Sequence, residues 1–204
     1  MKQPLLIATK NRNKAKEMQA ILLNFPLQIR TLSDMKDIVA PDETGHTFRE
    51  NALIKVHYYY SEFKIPVIAE DSGLVVPALG GEPGVKSARY AGSGHNYKEN
   101  NKKLLEKLSG FEPEKRFAYF VCYAVYFDGS DSIESEGRVE GMIIEKERGQ
   151  NGFGYDPVFL YPQINKTFAE MDAEEKNRIS HRKIAFSILG EKLKSRFQSL
   201  KRNT

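Results

Sequence analysis

Two adjacent acids, Glu70 and Asp71, end an apolar run in the stretch VIAEDSGL. Ligands of α/β sheets bind at the carboxyl ends of strands, so a carboxylate there is placed for chemistry. Its oxygens suit Mg2+, a hard cation that prefers oxygen donors and phosphate oxygens. The same residues would also serve as a surface turn in which Asp71 caps local N–H groups. Asp42 and Glu43, in APDETGHTF, could reach the same cation or form a solvated acidic loop.

The stretch ATKNRNK, which ends at Lys14, lies between an apolar run and a helical pattern. A loop entering a helix offers backbone N–H groups and partial positive charge, which suits phosphate. Lys14 could add a full charge. The P-loop spacing of glycines and lysine is missing, and taken alone the stretch fits an ordinary polar connection better than a phosphate cradle.

Two glycines flank Phe153 in NGFGYDPVF, followed by Tyr155 and Asp156. Glycines let backbone approach a ligand, an aromatic ring can stack on a nucleobase, and Asp156 could accept hydrogen bonds from a base or sugar. The alternative is a tight turn whose aromatics plug the core. In AEEKNRISHRKIAF, Lys176, His181 and Arg182 gather at the start of a helix that Ser180 would cap. Arginine grips paired oxygens bidentately, whereas a lone His-Arg pair is also common surface decoration. Cations there oppose the helix dipole, a small cost that fits a site for an anion or oxo group. A phosphate cradle, Mg2+ carboxylates, stacking aromatics and basic grips together describe a nucleoside triphosphate site.

The elements that must position these residues follow from periodicity. Leu5–Ala8 reads as a buried strand, and Lys14–Leu23 as a helix with Ala15, Met18, Ile21 and Leu22 on one face. LQIRT reads as a second strand. After a loop through SDMKDIVAPDETGH, Thr47 and Glu50 form a capping box that starts a helix through Phe63. PVIA is a short strand ending at the acids, LVV follows, and PALGGEPGVKSARYAGSG reads as a long ordered loop. A helix carries Leu104, Leu105 and Leu108. RFAYFVCYAVYF, apolar on both faces, is a central strand, and DGSD turns it into the antiparallel partner SIESEGRVEGMII. The last helix buries Ile184, Ile188, Leu193, Phe197 and Leu200. This pattern, without repeats or linkers, predicts one α/β domain over residues 1–204 with a mixed sheet.

Composition narrows the class. At 204 residues with 40% hydrophobic and 11% aromatic residues, the chain can build a core. No run reaches the length of a membrane-spanning helix, and the N-terminal apolar stretch is too short for a signal peptide. Cys122 is the sole cysteine, which excludes an intrachain disulfide and a thiolate zinc cage; a cytoplasmic location fits. The net charge of +4 is carried by the last fourteen residues, with five basic residues and one acid. A duplex-binding domain spreads its charge over a face, so this distribution argues against nucleic acid.

TKNRNK, EDSGL, GEPGVKSARYAG, GFGYDPVF and EKNRISHR resemble the successive motifs of the inosine triphosphate pyrophosphatases, in the family's order from Thr9 to Arg182. The resemblance implies hydrolysis of ITP, dITP or XTP to the monophosphate and pyrophosphate. It also implies an elongated mixed β-sheet flanked by helices in two lobes with the active-site cleft between them, Mg2+ dependence and a homodimer. It places the phosphate loop on Thr9, Lys10, Asn11, Arg12, Asn13 and Lys14. The metal-bound proton acceptor falls on Asp71 and the second metal carboxylate on Glu43. Substrate contacts fall on Ser72, Phe153, Gly154, Tyr155, Asp156, Lys176, His181 and Arg182. In that scheme Lys14 and Lys176 steady the leaving pyrophosphate, Phe153 stacks on the base, and His181 with Arg182 read its 6-oxo group. Two positions depart from the pattern: Lys10 where the family usually has Gly, and Glu70 where it often has Asp. The alternatives are a Maf-like pyrophosphatase for pyrimidine or modified nucleotides, and a non-catalytic nucleotide- or RNA-binding module using the basic tail.

Overall fold

The computed structural model describes residues 3–22, 27–32, 38–92 and 96–202, with the side chains of residues 3, 21 and 197–202 outside that description. Leu23, part of the expected SDMKDIVAPDETGH and PALGGEPGVKSARYAGSG loops, and the side chains of Ile21, Phe197 and Leu200 therefore lie outside it. The elements are β1 (Gln3–Ile7), α1 (Arg12–Leu22), β2 (Leu27–Thr31), α2 (Phe48–Phe63), β3 (Val67–Val75), α3 (Tyr97–Lys107), β4 (Phe117–Phe127), β5 (Ser132–Ile143), β6 (Phe159–Tyr161), β7 (Lys166–Thr167), α4 (Ala173–Ile179) and α5 (His181–Arg202).

Seven strands among the described residues run in the order β2-β1-β3-β4-β5-β6-β7. β1 pairs in parallel with β2, Leu5 opposite Ile29, and with β3, Leu6 opposite Val67; β6 is antiparallel to β5 and to β7. The sheet is mixed, as the pattern predicts, with β4 in the middle of the order.

Local chemistry sets the helix ends. Asn11 starts α1 by accepting from the amides of Asn13 and Lys14 at 3.0 and 3.2 Å, two residues earlier than periodicity indicates. Thr47 and Glu50 form the expected reciprocal capping box on α2, worth on the order of 1 kcal/mol. Lys64, left-handed at φ 52°, closes that helix by donating its amide to the Tyr60 carbonyl. Ser180 is extended and separates α4 from α5, the position expected of it.

The chain divides into two compact units, one holding the residues up to Asp71, Cys122–Gly137 and those from Arg182 onward, the other Ser72–Val121 and Arg138–His181. In the first unit, alternate β4 residues serve two cores. Cys122, Ala124 and Tyr126 join Met18, Leu22, Phe186 and Leu189; Val125 joins Ala52, Val56 and Tyr59. That alternation is why β4 is apolar on both faces. The second unit has its own core, including Leu74, Leu104, Phe120, Tyr155, Phe159 and Phe168.

Two expectations change. β3 does not end at the acids: it runs through Glu70, Asp71, Ser72 and Gly73 to Leu74 and Val75, the first two residues of LVV, so neither acid sits on a surface turn. Polar residues interrupt the apolar run because partners from distant segments compensate their charge. The buried face of α5 is Ala185, Phe186, Leu189 and Leu193, whereas Ile188 is exposed and Ile184 only partly buried.

Candidate active site

Successive strand residues point to opposite faces of a sheet. Glu70 therefore shares a side with Ile68 and Cys122, and Asp71 with Ala69 and α2. The two acids, both buried, enter separate clusters.

Asp71 meets α2. Its Oδ1 accepts from Lys55 Nζ at 3.0 Å and its Oδ2 from Asn51 Nδ2 at 3.2 Å. The same Lys55 ammonium lies 3.1 Å from Glu43 Oε1. Burial pushes the Asp71 carboxyl above its ordinary range, against the pull of Lys55 and Lys14. Burial also works against the charged Lys55, but Asp71, Glu43 and Glu70 outweigh it and leave the ammonium's pKa raised.

Glu70 meets cations from both ends of the chain. Lys14 Nζ lies 2.7 Å from its Oε1, and Arg182 lies 3.9 Å from its Oε2. Glu17 of α1 binds Arg182 from another direction, and the Cys122 thiol donates to Glu70 at 3.4 Å. Burial would raise the Glu70 carboxyl, yet Lys14, Arg182 and Lys55 hold it well below the carboxylate range. Glu70 is a counter-ion to two cations, and Lys14 of the expected phosphate loop pairs with it. In the rest of that loop, Asn11 caps α1, Thr9 Oγ1 accepts the Asn11 amide at 3.2 Å, and Lys10 donates to the Ile38 carbonyl. Arg12 and Asn13 are exposed at the start of α1.

The second unit gathers the GFGYDP residues. Asp156 Oδ2 accepts from the Phe153 amide at 2.8 Å and from Lys176 Nζ at 2.6 Å, and Asp156 and Lys176 are both buried. The Lys176 ammonium lies 4.7 Å from the Phe153 ring centroid, and the Tyr97 ring lies 6.2 Å from it. Gly152 makes the turn possible: its φ is +74°, and a Cβ there would come within 2.0 Å of Asp156 Oδ2. Gly154 is left-handed at φ +66°. Tyr155 is buried in the core and donates its hydroxyl to the Ser87 carbonyl at 2.8 Å. Ser72 is the first residue of this unit and partly buried.

His181 and Arg182 are neighbours at the start of α5, but the boundary between the units falls between them. The His181 ring stacks on Phe120, 4.8 Å away and 11° from parallel. Arg182 is buried and pairs with the partly buried Glu17 and the buried Glu70.

Glu43 and Asp71 come from different segments and already converge on one cationic nitrogen. Two carboxylates able to reach a single cation are a donor set that fits Mg2+, which completes its shell with water and phosphate oxygens. Among the described residues no group of three or more His, Cys, Asp or Glu forms a metal cage by itself.

Residues 5–192 match the model of the Ham1 family. The chain belongs to the Ham1 family. A Listeria monocytogenes protein (serotype 4b, strain F2365) named dITP/XTP pyrophosphatase is 48% identical over 190 residues, covering 93% of this chain and 94% of its own. The solved structure of the Staphylococcus aureus Ham1 protein superposes with a TM-score of 0.86 at 38% identity, covering 95% of this chain and 100% of that one. That of a Mycobacterium abscessus nucleoside-triphosphatase, also named dITP/XTP pyrophosphatase, gives 0.74 at 36% identity, covering 92% and 97%. The resemblance to the inosine triphosphate pyrophosphatases and the mixed α/β sheet are thus borne out.

Within this Ham1 chain, sequence reasoning missed Asn51, Lys55 and Glu17. Asn51 and Lys55 sit at i and i+4 of α2, one turn apart, on the side that carries Ala52 and Val56. Their spacing was available in the sequence, but a search for apolar stripes passes over polar residues that share the stripe.

Proposed function

We propose that this protein hydrolyses the non-standard purine nucleoside triphosphates ITP, dITP and XTP to the monophosphate and pyrophosphate, removing them from the nucleotide pool. The observation that carries the reading is the buried Asp71 carboxylate, held at Oδ1 by Lys55 and at Oδ2 by Asn51, with Glu43 on the same ammonium. The family's named relatives support the substrate class.

Water adds to the α-phosphorus, the α–β anhydride bond breaks, and pyrophosphate leaves. Asp71 orients the water and accepts its proton. Asn51 and Lys55 fix the rotation of that carboxylate. Asp71 and Glu43 would hold Mg2+, which supplies charge neutralisation on the triphosphate oxygens. Residues Thr9 to Lys14 receive the phosphates at the α1 N-terminus, where backbone and lysine charge favour anions; Ser72 adds a further contact. Phe153 stacks on the base, with Gly154, Tyr155 and Asp156 shaping its turn.

Lys176, held by Asp156 beside the Phe153 ring, adds a positive charge next to the stacked base in this reading. His181 and Arg182 read the 6-oxo group. A 6-amino group would oppose donor to donor and leave buried groups unpaired, which is the strong way to discriminate. The proposal includes a single functional domain over residues 1–204, a homodimer as the motif resemblance implies, and a cytoplasmic location, where the nucleotide pool lies.

Asp71→Asn tests the reading. Turnover of ITP should fall by about a thousandfold or more, with the urea unfolding curve still cooperative. Near-normal turnover would overturn it.

A further inference from the structure

The motif GEPGVKSARYAG carries part of the family resemblance and supplies no group to the proposed reaction. In the structure it forms a 3-10 turn, Gly84–Arg89, knotted by Ser87. The Ser87 hydroxyl accepts from the Leu74 amide of β3 at 2.9 Å and donates to the Gly84 carbonyl at 2.6 Å. The Ser87 carbonyl then accepts twice: from the Tyr155 hydroxyl at 2.8 Å and from Asn100 Nδ2 at 3.3 Å. Asn100, on α3, also donates to the Ala88 carbonyl at 3.2 Å and accepts the Ala91 amide at 2.7 Å. Ser87, Asn100 and Tyr155 are all buried. Buried polar networks that are mutually satisfied rigidify what they join.

What they join is specific. Tyr155 lies between Gly154 and Asp156, and Asp156 Oδ2 holds both the Phe153 amide and Lys176. The helix that supplies Asn100 also supplies Tyr97, whose ring lies 6.2 Å from Phe153. We propose that Asn100 and the Tyr155 hydroxyl, meeting on the Ser87 carbonyl, are positioning residues that set the Phe153 ring for the base. The Tyr155 side chain acts through this network, without touching substrate. This inference rests on the proposed stacking role of Phe153.

The test compares full-length wild type, Tyr155→Phe and Asn100→Asp. Tyr155→Phe keeps the ring in the core and removes only the hydroxyl; Asn100→Asp keeps an acceptor for Ala91 and removes both donations. KM for ITP should rise about tenfold in each, with kcat changed by less than about twofold, the split expected when positioning of a remote group is lost. Amide exchange is read in parallel. Phe153 and Asp156 should exchange about tenfold faster, while Leu6 and Ala8, hydrogen-bonded to the Pro66 and Ile68 carbonyls in the other unit, should not change. An unchanged KM, or unchanged exchange at Phe153, would overturn the inference. If wild type does not turn over ITP, the functional reading falls, and exchange at Phe153 alone decides whether the network positions the turn.

Discussion

The Lys55 ammonium lies 3.0 Å from Asp71 Oδ1, with both side chains at most about a tenth exposed. Removing one partner of such a pair strands the other, at a cost of about 3–5 kcal/mol. Lys55→Met should therefore destabilise the protein by about that amount in urea unfolding. Adding Asp71→Asn to Lys55→Met removes the stranded charge and should recover part of the loss without restoring turnover. A double variant less stable than Lys55→Met would show that the pair is not coupled in this way.

Glu70 gives stability a pH dependence of known sign. Its folded pKa lies below the ordinary glutamate value of 4.5, because Lys14, Arg182 and Lys55 outweigh the effect of burial. A depressed carboxylate contributes stability that is fully present above the unfolded pKa and lost as pH falls through the folded one. Wild type should thus exceed Glu70→Gln in stability most clearly above about pH 5, with the gap narrowing at lower pH. Urea midpoints between pH 3 and pH 7 measure it; a gap that widens on acidification would contradict the assignment.

Gly152 and Gly154 separate two costs. Both have positive φ, but a Cβ at Gly154 meets nothing within 4 Å, whereas one at Gly152 drives into Asp156. Gly154→Ala should cost about 1 kcal/mol, the conformational term. Gly152→Ala should cost more and should also raise KM for ITP, because Asp156 must leave Lys176 or the Phe153 amide. Thermal unfolding and KM for both variants check this, and equal behaviour would remove the steric argument.

Phe153→Ala should raise KM for ITP by about tenfold or more, since stacking on an aromatic is worth about 1–3 kcal/mol per base. Phe153→Tyr, which keeps the ring, should retain most of the affinity. Steady-state kinetics that leave KM unchanged in Phe153→Ala would place the base elsewhere.

The parts of this protein that local chemistry dictates were readable in its residues. The Thr47–Glu50 capping box set the start of α2, LQIRT is β2 residue for residue, and the two-faced apolar run is the central strand β4. Other parts depend on partners far along the chain. Nothing near Glu70 shows that Lys14 and Arg182 will neutralise it, so a strand that continues through two acids reads as a strand that stops. On α5, Ile184 and Ile188 offered one apolar phase and Ala185, Phe186 and Leu189 another, and packing chose the second. Of the candidate site, the motifs named the loops and acids. The roles of the α2 pair Asn51 and Lys55 depend on β3 bringing Asp71 against that helix.

Release of pyrophosphate from ITP, XTP, ATP, GTP and dUTP, each with Mg2+ and with chelator, tests the central claim most directly. Mg2+-dependent release from ITP and XTP, with little from ATP and GTP, is the predicted result. Rejection of GTP, which also carries a 6-oxo group, would add exclusion of the 2-amino group to the role of His181 and Arg182. Release from dUTP alone, or from none of the five, would contradict the account.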